Sequence, residues 1–129
     1  MDAKPGFAKW TFLIAGLYGL VMMLPLYFME EQLGLFFPPP LTHPEIFYGF
    51  IGVTLSWQVA FLLIAADTQR YRPLMLVAAL EKLSYGVALL VLYAQGRIAI
   101  LIAGSGVIDL VFAVLFVIAF RTARTTTEK

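Results

Sequence analysis

The chain has 129 residues, of which 61% are hydrophobic and 13% are charged, and its mean hydropathy is +0.88. Soluble domains carry about a quarter charged residues, so this composition predicts an integral membrane protein. The net charge of +1 argues against nucleic-acid binding, the absence of cysteine excludes thiol chemistry and cysteine metal sites, and a single histidine excludes a multi-histidine metal centre within one chain.

Four apolar runs are each long enough to cross a bilayer as a helix, which takes about 20 residues. They lie at about 10–28, 46–66, 74–94 and 98–120 within a single domain, 1–129. A cleaved signal peptide is an alternative for the first run, but the apolar part of such a peptide is about 7–15 residues long, so we expect a retained span. The four runs predict an all-α, integral membrane four-helix bundle.

The connection between the first two runs contains three consecutive prolines at 38–40, which favour a stiff, polyproline-like segment. Thr42 and Glu45 then fit a capping box that opens the second helix. His43 lies inside this box, so we expect it at the surface. A weak outer metal site formed by His43 with nearby glutamates is the less favoured interpretation, and we expect neither a bound metal nor a cofactor.

Small residues and prolines predict the local geometry of the spans. Gly52, Ser56 and Ala60 recur at four-residue intervals, a pattern that lets membrane helices approach closely. Pro25 is expected to kink the first helix, and Gly96 is expected to end the third.

Positive charge is distributed unevenly between the predicted loops. Arg97 lies on one side, together with Glu30, Glu31 and Glu45. The more basic side of a membrane protein is kept cytoplasmic, so we expect both termini in the cytoplasm and the chain in a bacterial inner membrane. The basic residues of the other side are Lys4, Lys9, Arg70, Arg72, Arg121, Arg124 and Lys129.

Three charged residues lie inside the apolar runs: Glu81 and Lys82 in the third, and Asp109 in the fourth. A charge at the centre of a membrane helix costs roughly 2.5–3.5 kcal/mol, so these side chains are expected to face the bundle interior and to find partners there. If all three are ionised, one net negative charge remains in low dielectric, and we expect one carboxyl group to be protonated at neutral pH.

The charged residues define a candidate ligand site at the bundle centre. Glu81 and Asp109 are the candidate acid–base residues, and Tyr18 is a further candidate neighbour. An alternative with similar weight is that the polar groups simply hold the helices together, at about 0.6 kcal/mol per contact. The predicted ligand-binding residues are Trp57, Gln58, Glu81, Lys82, Tyr85 and Asp109.

Three segments carry a resemblance to known sequences. They are His-Pro-Glu-Ile-Phe-Tyr-Gly-Phe at 43–50, Glu-Lys-Leu-Ser at 81–84 and Tyr-Ala-Gln-Gly-Arg at 93–97. Together with the four spans, they resemble small bacterial four-span proteins of unassigned activity and, more loosely, DoxX-like bundles. The resemblance implies a four-helix bundle along nearly the whole chain. The wider DoxX-like group is linked to quinone or sulfur redox chemistry, but a chain without cysteine cannot carry a thiol role.

We predict a non-catalytic protein of the bilayer that binds a lipid-like ligand or serves as a subunit of a membrane assembly, with a protein partner or a second copy of itself. One alternative is an enzyme acting on an isoprenoid or sterol-like lipid, in which Glu81 or Asp109 moves a proton and Trp57 and Tyr85 shield a carbocation. Unchanged lipid turnover in Glu81→Gln and Asp109→Asn variants would exclude it. Another alternative is a proton-coupled small transporter, which four helices could form only as a dimer.

Overall fold

A computed structural model describes residues 6–123, and in this range the chain folds into helices joined by short connections. The prediction of an all-α four-helix bundle is confirmed. A 3₁₀ segment, Leu24–Phe28, directly continues the first helix. The α-helices are α1 (Phe7–Met23), α2 (Glu30–Phe36), α3 (Pro44–Ala66), α4 (Leu74–Ala94) and α5 (Ile100–Thr122).

Four of these elements are long and apolar enough to cross a membrane: α1 with its 3₁₀ extension, α3, α4 and α5. They contain 21 to 23 residues each, which at 1.5 Å per residue gives about 32–35 Å and matches a hydrocarbon core of about 30 Å. A backbone in lipid must satisfy its hydrogen bonds internally, and continuous helices do so. The arrangement is typical of a multi-pass membrane protein.

The predicted helix boundaries agree with the structure for α4 and differ by two or three residues at most elsewhere. The helix after Pro25 tightens into 3₁₀ geometry, as expected where proline removes a backbone donor. Gly96 ends the hairpin between α4 and α5 with a φ of 71°, and the Arg97 backbone N–H donates to the Leu92 carbonyl. This left-handed conformation favours glycine, so the predicted stop is confirmed.

The bundle is built from two tightly packed antiparallel pairs, α1 with α3 and α4 with α5. Glycines allow both close approaches. A Cβ added to Gly86 would lie 2.8 Å from the Gly106 carbonyl oxygen, and one added to Gly106 would lie 2.8 Å from the Leu89 Cβ. In the other pair, a Cβ at Gly19 would overlap the side chain of Gln58.

The two pairs meet mainly where α1 packs on α5, and a cluster of aromatic rings fills that junction. Phe12, Phe61 and Phe116 are fully buried, with the Phe12 and Phe116 rings stacked at a centroid distance of 4.1 Å. All three rings belong to residues within two turns of a helix end, and these ends lie together at the end of the bundle that carries Lys9 and Arg121. This half of the bundle is therefore solidly packed, whereas α3 and α4 contact each other sparsely.

Two basic side chains bind helix carbonyls at the same end of the bundle as the aromatic cluster. Lys9 Nζ donates to the Ala65 carbonyl at the end of α3, and Arg72 Nε donates to the Phe120 carbonyl near the end of α5. The Arg72 guanidinium also lies 3.9 Å from the centroid of the Phe120 ring. Basic side chains here satisfy carbonyls that have no partner within their own helix. Of the other basic residues predicted for this side, Arg70 and Arg121 lie at this end, and Lys4, Arg124 and Lys129 lie outside the described residues.

The structure corrects the prediction for the loop that precedes α3. No side chain caps this helix. The His43 backbone carbonyl accepts from the Ile46 and Phe47 N–H groups, so Thr42 and Glu45 do not form the predicted capping box. A short helix, α2, precedes the prolines, in a part of the connection for which no helix was predicted.

The predicted small-residue stripe on α3 does not form the close contact with α1. Ser56 is exposed and its hydroxyl donates to the Gly52 carbonyl of its own helix. Together with Trp57, Ser56 and Ala60 line a shallow surface groove. The close approach of α3 to α1 instead uses two glycines of α1, Gly16 and Gly19. They leave room for Leu62 and Gln58 of α3.

Candidate functional site

A cavity of about 200 Å³ lies among the four spanning helices, beyond the aromatic cluster. All four helices contribute to its wall, and polar side chains occupy one side of it. Methionine, leucine and phenylalanine side chains form the rest. The lining residues are Tyr18, Gly19, Met22, Met23, Leu26, Phe50, Thr54, Gln58, Glu81, Lys82, Tyr85, Ser105 and Asp109.

The buried ion pair of this cavity joins α4 to α5. Lys82 is 4% exposed, and its Nζ lies 3.5 Å from Asp109 Oδ1. The Lys82 ammonium also lies 5.4 Å and 5.7 Å from the ring centroids of Phe61 and Phe112. A cation in low dielectric needs such a counter-charge and gains further from aromatic faces. The expectation that Asp109 is a partner of the charged residues on α4 is confirmed for Lys82.

Glu81 and Gln58 present oxygen atoms that nothing in the described chain satisfies. Glu81 Oε1 and Gln58 Oε1 are buried, and neither has a hydrogen-bond partner within residues 6–123. Gln58 is fully buried, and its amide nitrogen donates to the Thr54 carbonyl one turn earlier. An unsatisfied buried acceptor costs about 1–3 kcal/mol, so a hydrogen-bond donor reaching these two oxygens would be stabilising.

Aromatic side chains form the cavity wall where α3 and α4 separate. Phe50 of α3 and Tyr85 of α4 stack with a centroid distance of 5.6 Å and an interplanar angle of 26°. Phe50 is 37% exposed, so this stacked pair lies at the lipid-facing edge of the cavity. Tyr18 lines the opposite side and contacts Phe112 at 5.7 Å between centroids. The α3–α4 gap is therefore closed by side chains, whereas the other sides are closed by packed helices.

The structure brings together most of the predicted ligand residues. Gln58, Glu81, Lys82, Tyr85 and Asp109 all line the cavity, and so does Tyr18. They come from different helices and share a depth, as their positions within the apolar runs predicted.

Trp57 does not belong to this cavity. Its ring packs against Phe61 at 6.2 Å between centroids, and it lines the surface groove on the other side of α3. Trp57 points toward this groove and away from the cavity, whereas Gln58, about 100° further round the helix, lines the cavity.

Sequence reasoning missed the apolar part of the wall. Phe50, Thr54 and Gln58 recur at four-residue spacing on one face of α3, and this spacing was a usable signal. Met22, Met23 and Leu26 carried no such signal, because they flank the expected kink at Pro25 too closely for the helix face to be assigned.

The described residues contain no group of three or more histidine, cysteine, aspartate or glutamate side chains placed to hold a metal ion. At the outer end, His43 Nδ1 lies 3.3 Å from Glu45 Oε1, and Glu30 instead accepts a 2.9 Å hydrogen bond from the Tyr48 hydroxyl. The less favoured outer metal site is therefore not formed by the described side chains.

The arrangement is suited to holding a molecule with a polar head and an apolar tail. The unsatisfied oxygens of Glu81 and Gln58 can accept hydrogen bonds, while the methionine and phenylalanine side chains can contact hydrocarbon. Comparison of the chain with protein-family models, with curated proteins and with solved structures gave no match. The resemblance to DoxX-like bundles therefore stays a prediction.

Proposed function

We propose that this protein binds a lipid-like ligand inside the bilayer, with the ligand's polar head in the cavity beside Glu81 and Gln58. The observation that carries the proposal is the pair of buried oxygen atoms without a hydrogen-bond partner in the described chain. Helix association alone explains the Lys82–Asp109 pair, because that contact joins two helices. Helix association does not explain the third charged side chain, Glu81, which forms no ion pair with another helix within residues 6–123.

The size of the cavity supports a head group rather than a whole lipid. Its volume of about 200 Å³ is below the roughly 300–1,000 Å³ of sites that enclose drug-sized molecules. A tail would have to leave the cavity, and the sparsely packed side between α3 and α4 leads to the lipid. The exposed ring of Phe50 lies on that route.

We further propose a bacterial inner membrane as the location, with both termini in the cytoplasm. Lys9, Arg70, Arg72 and Arg121 occupy one end of the described bundle, and Arg97 lies at the other. This asymmetry supports the orientation because basic loops are retained on the cytoplasmic side.

The alternatives receive less support. The isoprenoid or sterol-like lipid enzyme was predicted to shield a cation with Trp57 and Tyr85, and of these two only Tyr85 lines the cavity. A proton-coupled transporter needs an aqueous path, and the aromatic cluster with Phe12, Phe61 and Phe116 closes the basic end of the single chain, so such a path would have to form between two copies, as predicted for that alternative.

Native mass spectrometry of the mildly extracted full chain tests the proposal. We expect a discrete small molecule to stay bound to the wild type and to the Glu45→Gln variant, a matched carboxylate-to-amide change at an exposed site. We expect the same molecule to be lost from the Glu81→Gln variant and from the Glu81→Gln, Asp109→Asn double variant. A bare wild-type protein, or equal retention in all four proteins, would contradict ligand binding at this cavity.

A further inference from the structure

We propose that the head group of the ligand is an organic cation, such as a protonated amine, attached to a hydrocarbon tail. This inference rests on the proposed function, since it names the chemical class of the molecule in the same cavity. It follows from the charges around the cavity, from the kind of hydrogen-bonding group left unsatisfied, and from the rings in its wall.

The charges around the cavity sum to one negative unit when all are ionised. Lys82 and Asp109 neutralise each other across 3.5 Å. Glu81 then remains as the carboxyl group without an ion-pair partner among residues 6–123, and the other titratable groups facing it are the phenols of Tyr18 and Tyr85. A buried carboxylate in low dielectric needs either a counter-charge or a proton that neutralises it. A cationic head group beside Glu81 would supply the counter-charge.

The unsatisfied groups are both acceptors. Glu81 Oε1 and Gln58 Oε1 each need a donor, and an ammonium carries up to three N–H donors and no acceptor. A carboxylate or phosphate head would bring further acceptors and negative charge to the same place. Anionic lipids are therefore disfavoured by the side chains that the cavity presents.

The aromatic wall also suits a cation. The rings of Tyr18, Tyr85 and Phe50 line the cavity, and the faces of such rings attract an ammonium. The bundle already contains one example of this environment, because the Lys82 ammonium lies within 6 Å of two ring centroids, those of Phe61 and Phe112.

Binding of three twelve-carbon probes to the full chain in phosphatidylcholine nanodiscs tests the inference. The probes are dodecylamine, dodecanol and dodecanoate, which share a tail and differ in head-group charge. Empty nanodiscs correct for partition into lipid. We expect the amine to bind wild type about tenfold more tightly than the alcohol, because a charged hydrogen bond in a buried site contributes more than a neutral one. We expect no saturable binding of dodecanoate.

Two variants sharpen the result. In Glu81→Gln, amine affinity should fall by about tenfold or more while alcohol binding is kept, and in Glu45→Gln both should match wild type. Saturable alcohol binding equal to or tighter than amine binding in wild type would overturn the cationic head group and leave the proposed function standing. No saturable binding of any probe would overturn both. The wild-type comparison is decisive even if a variant fails to fold.

Discussion

Removing the Lys82–Asp109 ion pair tests the energetic role of the charges in the bundle. At 3.5 Å and an effective dielectric constant of about 20, two unit charges attract by about 5 kcal/mol before desolvation is subtracted. The side chains are 5% and 14% exposed, so most of that attraction is unscreened and most of the desolvation cost is also present. We expect a net coupling energy of about 1.5–3 kcal/mol, which exceeds the roughly 0.6 kcal/mol average for intramembrane hydrogen bonds.

The coupling energy is measured with a double-mutant cycle of Lys82→Met and Asp109→Asn, using reversible unfolding in mixed micelles. Methionine keeps the apolar stem against the aromatic rings, and asparagine keeps the shape of aspartate. A control cycle of Lys82→Met with Glu45→Gln should be additive within about 0.5 kcal/mol, because Glu45 lies at an exposed outer position. A Lys82–Asp109 coupling no larger than the control would refute the assignment of this pair as a net stabilising contact.

Three further predictions concern packing, orientation and the unsatisfied amide. Gly86→Ala should lower the free energy of unfolding in micelles by about 1–3 kcal/mol, because the added Cβ would meet Leu110 and a backbone carbonyl. Gly104→Ala is the control and should be neutral or stabilising, because nothing lies within 4 Å of its added Cβ. Equal effects of the two changes would contradict the packing of α4 on α5. The chain has no cysteine, so Gln95→Cys should react with an impermeant maleimide in intact cells and Gln69→Cys only after permeabilisation, and the reverse pattern would contradict the orientation. Gln58→Met removes an oxygen that lacks a partner in the described chain, so the ligand-free protein should be as stable as wild type or about 1 kcal/mol more stable. The same change should abolish retention of the ligand. A large loss of stability would instead assign Gln58 a structural role.

The spanning helices were predictable because each satisfies a simple physical requirement. A segment in lipid must be apolar, about 20 residues long and internally hydrogen bonded, and all three conditions are readable in sequence. The boundaries differ by a few residues because helix ends depend on local contacts, such as the His43 carbonyl that opens α3 in place of a capping box. The short helix α2 was not predicted, since the prolines at 38–40 indicated only where a helix before them must end.

The candidate site was partly predictable for a related reason. Charged residues in a membrane segment must face protein, so Glu81, Lys82 and Asp109 could be grouped before their distances were known. Which helices approach closely could not be read in the same way. Gly52, Ser56 and Ala60 form a regular small-residue stripe that α1 does not contact closely, whereas the equally regular stripe Thr11, Ala15 and Gly19 on α1 is buried, and Gly19 lies against Gln58. Spacing alone does not distinguish the two stripes, because the match of surfaces between two helices decides the contact.

The position and size of the cavity also depend on the whole bundle. They arise because α1 with α3 and α4 with α5 pack tightly while α3 and α4 do not, and this difference has no signature in any one helix. The inclusion of Trp57 among the ligand residues shows the same difficulty at smaller scale. Its residue type and depth favoured the site, and its direction from the helix axis excluded it.

Photo-crosslinking with a long-chain alcohol that carries a diazirine near its hydroxyl tests the central claim most directly. The alcohol head group needs no assumption about charge, and mass spectrometry of the digested protein locates each crosslink. The account predicts crosslinks at cavity residues such as Met23 and Tyr85, suppressed by excess unlabelled alcohol and by the Gln58→Met change. Crosslinks spread evenly over lipid-facing residues such as Val111, with no saturation, would contradict a ligand-binding cavity in this bundle.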